Sequence, residues 1–233
     1  MKKYDIILMD LDDTITDNKV SRMHSIAHIC DLKGIKYDEQ YLESFIVCDD
    51  NFWEDNIIYP SNVRTFEEKK NWSRAQRFIK HFGNIDFEEA LYLDKEYSKK
   101  LSENIVPLEN AVEVVKYLSN KYKLFIATNG PAIAVKSKLR KANVYDCFSG
   151  LFVAEEIGYL KPEKEFFEVV MQKTGYMDSK KIAIIGDSLT SDIEGGNNAN
   201  IDTYWFNHRG YKRNDNINVT CEFVNFKQLY KIL

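Results

Sequence analysis

The segment Tyr4-Asp5-Ile6-Ile7-Leu8-Met9-Asp10-Leu11-Asp12-Asp13-Thr14 runs from a short apolar stretch straight into three carboxylates. An apolar run of this length, bounded by polar residues, reads as a strand buried on both faces, the kind found in parallel sheets. Acids at its carboxyl end lie where open α/β sheets keep their active sites. Alternation puts residues i and i+2 on the same side, so Asp10 and Asp12 can project into one cleft. Two carboxylates sharing a site repel, and a divalent cation resolves the repulsion. Taken alone, the acidic triplet is equally compatible with a solvated turn that caps a helix.

Further out, apolar runs suited to buried strands recur at residues 123–127, 151–153, 181–185 and 203–206, joining that at 4–9. Between them lie helical patterns. Leu108, Ala111/Val112, Val115 and Leu118 repeat along one helix face, and helices are expected at about 131–142, 163–174 and 189–199. Strand–helix alternation of this kind gives an α/β fold, a Rossmann-like doubly wound parallel sheet covered on both sides. The interval from Asp10 to Thr128 breaks the rhythm, being several times the ~30 residues of a βαβ unit. Within it Met23, Ile26/Ala27 and Cys30 form an apolar face that stops at Gly34. Trp72, Ala75, Phe78/Ile79 and Phe82 form a second that stops at Gly83, and Ala90, Leu93, Tyr97 and Leu101 a third. The expected organisation is therefore a sheet core over 1–16 and 105–233 with an all-helical insertion over 17–104.

Composition narrows the function classes. The 233 residues carry 32 Lys+Arg against 36 Asp+Glu, a net charge of −4, which argues against a nucleic-acid or anionic-membrane binder. Cys30, Cys48, Cys147 and Cys221 are scattered without a C-x-x-C pair, so free thiols in a reducing compartment are expected. No signal-peptide core and no 18-residue apolar run is found, which points to a cytoplasmic protein. His24 and His28 sit one helical turn apart, but no third metal ligand accompanies them and they read as ordinary helix residues.

Three more segments fall at expected strand ends. Thr128-Asn129-Gly130-Pro131 offers a hydroxyl, a turn opened by glycine and a proline at a helix start, together an anion site. Lys161-Pro162 opens the next helix; one lysine by itself says little. Gly186-Asp187-Ser188-Leu189-Thr190-Ser191-Asp192 supplies an acid pair suited to one direct and one indirect contact with a hard cation, or to helix capping.

In combination, Asp10-Leu11-Asp12-Asp13-Thr14, Thr128, Lys161 and Gly186-Asp187 through Asp192 resemble the haloacid dehalogenase superfamily, whose D-x-D-x-T/V, S/T, Lys and G-D-x-x-x-D motifs follow successive strands. The resemblance covers the sheet domain, and the helical insertion corresponds to the family's C1-type cap. It implies that Asp10 is a nucleophile attacking phosphorus and Asp12 a general acid and base. It further implies Mg²⁺ held by Asp10, the backbone carbonyl of Asp12 and Asp187, with Thr128, the Asn129-Gly130 turn and Lys161 holding the phosphoryl oxygens. Asp192 would orient a metal-bound water or Lys161. Members resembling dehalogenases lack an acid at the Asp12 position, and those resembling phosphonatases carry a small residue there. The retained acid favours a phosphate ester.

Trp205-Phe206-Asn207 and the closing strand and short helix over 221–233 also look like the pyrimidine 5′-nucleotidase branch. That implies a small phosphorylated metabolite, a nucleoside 5′-monophosphate, as substrate, with sugar-phosphate phosphatase or mutase as alternatives. A receiver-like module or a non-catalytic phospho-ligand binder would use similar residues, but the former needs no large insertion after its first strand. Within the insertion, Arg64, Lys69, Lys70, Arg74, Arg77 and Lys80 outnumber Glu67 and Glu68, a pattern that reads as a solvated face. Phe52 and Trp53 stand outside the apolar stripes and are the candidate substrate contacts there.

Overall fold

The structure, a computed structural model, describes residues 3–54, 57–213 and 216–233. Strand β1 (Ile6–Met9) is wholly buried, as a strand with neighbours on both sides and helices on both faces requires. Four helices follow before the next strand: α1 (Asn18–Lys33), α2 (Glu39–Glu54), α3 (Phe66–Phe82) and α4 (Phe87–Lys100). The chain then runs α5 (Ala111–Ser119), β2 (Lys123–Thr128), α6 (Ala132–Lys141), β3 (Phe148–Val153), α7 (Ala154–Ile157), α8 (Lys164–Thr174) and β4 (Ile182–Gly186). A π-helical turn over Leu189–Ile193 leads into α9 (Glu194–Asn198), then β5 (Asp202–Phe206), β6 (Cys221–Phe223) and α10 (Leu229–Ile232).

All strand pairs are parallel and the sheet order is β3-β2-β1-β4-β5-β6. The chain winds outward from β1 on one side through β2 and β3, then returns to add β4, β5 and β6 on the other. The reversal falls at β1, so the crevice beyond its carboxyl end, flanked by β2 and β4, is where such a sheet accommodates a ligand. In register, Met9 pairs with Ile126 of β2 and Ile185 of β4, which brings Asp10, Thr128 and Asp187 to the same rim.

The chain divides into two compact units, one running to Asp17 and resuming over Val106–Leu233, the other Asn18–Ile105. The two crossings lie side by side, with the Asp17 N–H donating to the Val106 carbonyl at 2.8 Å and Thr16 bridged to Pro107.

The inserted unit is a four-helix assembly with its own core, in which the rings of Phe45, Phe78 and Tyr97 lie 5.7–5.8 Å apart. A reciprocal cap of Thr65 and Glu68 starts α3, which ends at Gly83. Helix α2 is the element that apolar periodicity did not disclose. Its inward stripe is Leu42, Phe45/Ile46, Asp49 and Phe52, all buried, and a carboxylate occupies the third position. Asp49 accepts from Arg22 of α1 at 2.9 Å and from Arg77 of α3 at 3.2 Å, and Arg77 donates on to Asp94 of α4 at 2.6 Å. The basic stretch of α3 is thus not uniformly solvated, because Arg77 is buried and ties α2, α3 and α4 together.

The four cysteines are free thiols, with Cys30 buried and the other three partly exposed. Among the described residues, no helix is long and apolar enough to cross a membrane.

Candidate active site

Lys161 organises the rim of the sheet. An ammonium has three donors, and those of Lys161 meet Asp10 Oδ1 at 2.7 Å, Asp192 Oδ1 at 2.6 Å and the Ala127 carbonyl at 2.6 Å. One side chain therefore joins the end of β1, the end of β2 and the π-helical turn after β4, with only 1% of its surface exposed. Burial pulls its pKa down, but the carboxylates of Asp10 and Asp192 outweigh that and hold it above the ordinary lysine value. The Asp10 N–H donates to the Ile185 carbonyl at 2.9 Å, extending the β1–β4 ladder to Asp10 itself.

Asp10 and Asp187 sit in an acidic, water-poor corner. Burial, followed by the neighbouring Asp192 and Asp12, pushes Asp10 up from 3.8 to about 7, against the opposing pull of Lys161. Burial and the charges of Asp10, Asp13 and Asp192 likewise raise Asp187. Thr14 Oγ1 donates to Asp187 Oδ1 at 3.2 Å, and Trp205 Nε1 to the Asp187 carbonyl at 2.8 Å. Oxygen atoms of Asp10, Asp187 and Asp192 all lie within 4.8 Å of one another. A buried, hard-oxygen donor set whose members repel fits a divalent cation such as Mg²⁺. Asp192 is already engaged through both oxygens, by Lys161 and by the Ser188 N–H at 3.1 Å. Asp10 and Asp187 are therefore the side chains suited to hold the ion, with Asp192 behind them. Gly186 is needed for this packing, because a Cβ there would overlap the Asp192 side chain.

Asp12 goes elsewhere. Strand β1 stops at Met9, and the chain turns sharply at Asp13, whose φ is +61°. Asp12 Oδ1 pairs with the ammonium of Lys138, a side chain of α6 that is 1% exposed. The cation beside Asp12 is thus a lysine of this chain, not one shared with Asp10. Lys138 was not singled out from sequence, although it lies on the same buried face of α6 as Ala134, Val135 and Leu139, where a lysine needs a partner.

The turn after β2 completes the arrangement. Thr128 Oγ1 accepts from the Gly130 N–H at 3.0 Å. The Asn129 side chain donates to the Lys161 carbonyl and accepts from the Lys161 N–H, each at 2.9 Å. Its amide is thereby committed to positioning Lys161, so a contribution of Asn129 to an anion comes from its backbone N–H. A Cβ on Gly130 would come within 2.9 Å of Asp12 Oδ2 and 3.2 Å of Thr128 Oγ1, so Asp12 Oδ2 opens onto the Thr128–Gly130 turn.

A second cation also escaped the sequence reading. Arg209 pairs with Asp13 at 2.6 Å. Asn207 shapes the loop that carries it, its amide donating to the Tyr211 carbonyl at 3.0 Å and to Glu222 at 2.7 Å, while its oxygen accepts the Tyr211 N–H at 2.8 Å. In the inserted unit Phe52 is 8% exposed and packs inward, whereas Trp53 is 47% exposed, held by a hydrogen bond to Asp49 at 3.1 Å and edge-on to Phe52.

The chain is 29% identical to the HAD-hydrolase YfnB of Bacillus subtilis, covering 100% of this chain and 97% of that protein. It is 27% identical to the pyrimidine 5′-nucleotidase PynA of Streptococcus pneumoniae, over 99% and 95% respectively. A crystal structure of Bacillus subtilis YfnB bound to magnesium superposes with a TM-score of 0.85 at 28% identity, covering 100% of this chain and 99% of that one. The model of the haloacid dehalogenase-like hydrolases matches residues 7–206, and the chain belongs to that family.

Proposed function

We propose that the protein is a Mg²⁺-dependent phosphomonoester hydrolase that works through an aspartyl-phosphate and prefers nucleoside 5′-monophosphates. The observation that carries the reading is the placement of a second carboxyl group, Asp12 Oδ2, beside the Thr128 hydroxyl at the Gly130 turn. An ester oxygen leaving from a phosphoryl group held at that turn needs a proton, and Asp12 is the acid in reach.

In this reading the carboxylate of Asp10 attacks phosphorus, the P–O bond to the leaving group breaks, and Asp12 delivers the proton to the departing oxygen. Asp12 then takes a proton from water as that water attacks the aspartyl-phosphate, releasing inorganic phosphate and restoring Asp10. Thr128, the backbone N–H groups of the turn and Lys161 hold the phosphoryl oxygens as charge spreads over them. Lys161 also keeps Asp10 aimed and offsets part of the burial that opposes its ionisation. Asp10, the Asp12 carbonyl and Asp187 would hold Mg²⁺, which would supply positive charge between an anionic nucleophile and an anionic phosphate.

The preference for a nucleotide rests on the kinship with a pyrimidine 5′-nucleotidase and on Trp53, the exposed aromatic of the inserted unit, as the contact for a base. With Phe52 buried, Trp53 is the candidate of the two. The test is phosphate release across a panel of nucleoside monophosphates and sugar phosphates, with Mg²⁺ and with a chelator. Turnover on nucleotides that requires Mg²⁺ and vanishes in Asp10→Asn is the expected result. Activity surviving in Asp10→Asn refutes the nucleophile. Sugar phosphates outpacing every nucleotide would leave the chemistry intact and remove the substrate preference.

A further inference from the structure

Two buried lysines pair with three of the acids around the site. Lys161 takes Asp10 and Asp192, while Lys138, reaching in from α6, takes Asp12. A lysine 1% exposed is costly to bury without a counter-charge. The ion pair it forms with Asp12 runs through Oδ1. The other oxygen, Oδ2, is the one that borders the Gly130 turn and the Thr128 hydroxyl.

A carboxylate on a turn can rotate about its terminal bond, which is broad and two-fold. Fixing one oxygen with a buried ammonium fixes the other by geometry. The backbone adds its own constraint at Asp12, which is bridged to Thr16 around the Asp13 turn. Because α6 begins directly after Thr128-Asn129-Gly130, the helix that carries Lys138 is rigidly tied to the turn that faces Oδ2.

From this we infer that Lys138 is the positioning residue for the general acid and base: it clamps Asp12 Oδ1 so that Oδ2 is presented to the leaving-group oxygen at the Thr128–Gly130 turn. The inference rests on the hydrolase reading above and deepens it. Lys138 does not touch the substrate; it acts through Asp12.

The distinguishing readout is leaving-group dependence. Through the step that breaks the P–O bond, which kcat/KM reports, an alkyl leaving group needs the proton and p-nitrophenolate does not. The experiment measures kcat/KM for a nucleoside 5′-monophosphate and for p-nitrophenyl phosphate in wild type, Lys138→Met, Lys138→Arg, Asp12→Asn and the Asp12→Asn/Lys138→Met double variant.

General acid–base catalysis is worth roughly 10²–10⁴-fold. Lys138→Met is expected to lose about 100-fold on the nucleotide and less than about tenfold on the aryl ester, as a misaimed acid would. Lys138→Arg, which keeps a cation, should recover most of the loss, and Lys138→Met should cost nothing further in the Asp12→Asn background. Equal losses on both esters, or additive losses in the double variant, overturn the proposal while leaving the hydrolase reading in place. A wild-type chain inactive on both esters overturns the two together. Should Lys138→Met fail to fold, Lys138→Gln carries the same comparison, with the same outcomes deciding it.

Discussion

Asn129 and Lys161 are joined in both directions, the Asn129 amide donating to the Lys161 carbonyl and its oxygen accepting the Lys161 N–H, each at 2.9 Å. The pair spans from the turn after β2 to the start of the segment before α8, and it fixes the main chain from which the Lys161 ammonium reaches Asp10 and Asp192. Asn129→Ala removes both bonds without touching any charged group. A displacement of about 1 Å at a reacting group can cost about 100-fold, so kcat should fall by about that much. KM for substrate should change less, and a thermal melt should show a folded protein. A kcat within twofold of wild type would mean that the Lys161 ion pairs alone hold the lysine.

The acids of the site make stability and cation binding depend on pH in a defined direction. Asp10 is raised to about 7 and Asp187 is raised as well, so the folded chain holds protons that the unfolded chain, with ordinary carboxyls near 3.8, has released. Stability of the metal-free protein should therefore be greatest below about pH 4, as far as these groups are concerned, and decline as pH rises toward 7. A divalent cation replaces the protons. The rise in Tm produced by saturating Mg²⁺ should accordingly be larger at pH 8 than at pH 5.5, and its apparent Kd smaller. Differential scanning fluorimetry at the two pH values measures it, and an equal rise at both would show that the acids are already ionised without the ion.

What could be read from the chain alone was what has a local signature. The run Ile6–Met9, buried without alternation, announced a parallel strand, and the four segments carrying Asp10, Thr128, Lys161 and Asp187 lie at the rims of β1, β2 and β4 or open onto them. Residues defined by a partner far along the chain were not legible. Lys138 and Asp12 are 126 positions apart, and a lysine in a helix looks like surface charge until its face is known. Asp49 had the opposite effect: a buried acid placed where an apolar residue was expected hid the stripe of α2, and its partners Arg22 and Arg77 come from two other helices. The single helix expected over 189–199 became a π-helical turn followed by α9. There the Asp192 carboxylate folds back onto the Ser188 N–H, and that local bond gives no periodic signal.

The buried charge network of the inserted unit should dominate its stability. Arg77 is 8% exposed and serves two buried acids, Asp49 and Asp94. Arg77→Met keeps much of the volume and removes the cation they share. Breaking a buried pair by deleting one partner costs about 3–5 kcal/mol, and the loss should fall on α2, α3 and α4. Hydrogen exchange should show faster opening across Asn18–Ile105 than across the sheet unit, whose core holds none of these residues. Uniform acceleration throughout the chain would indicate that the two units unfold as one.

Arg209 supplies the last test, because its charge competes with the cation for the same acids. It lies 2.6 Å from Asp13 and lowers the cost of ionising Asp187, against the burial and the acidic neighbours that raise it. Arg209→Gln removes that positive charge while keeping a hydrogen-bonding side chain. With less positive charge nearby the field drawing a divalent ion inward is stronger. Asp187 also becomes harder to ionise and protons compete better, so the gain is read at alkaline pH, where that competition is absent. A charge change at this range is worth on the order of 1 kcal/mol, so Mg²⁺ should bind roughly fivefold more tightly. Isothermal titration with Mg²⁺ alone reads this directly, without reference to turnover. Weaker binding would mean that Arg209 acts chiefly by holding the Asp13 turn, and through it the carbonyl of Asp12, in the shape a cation requires.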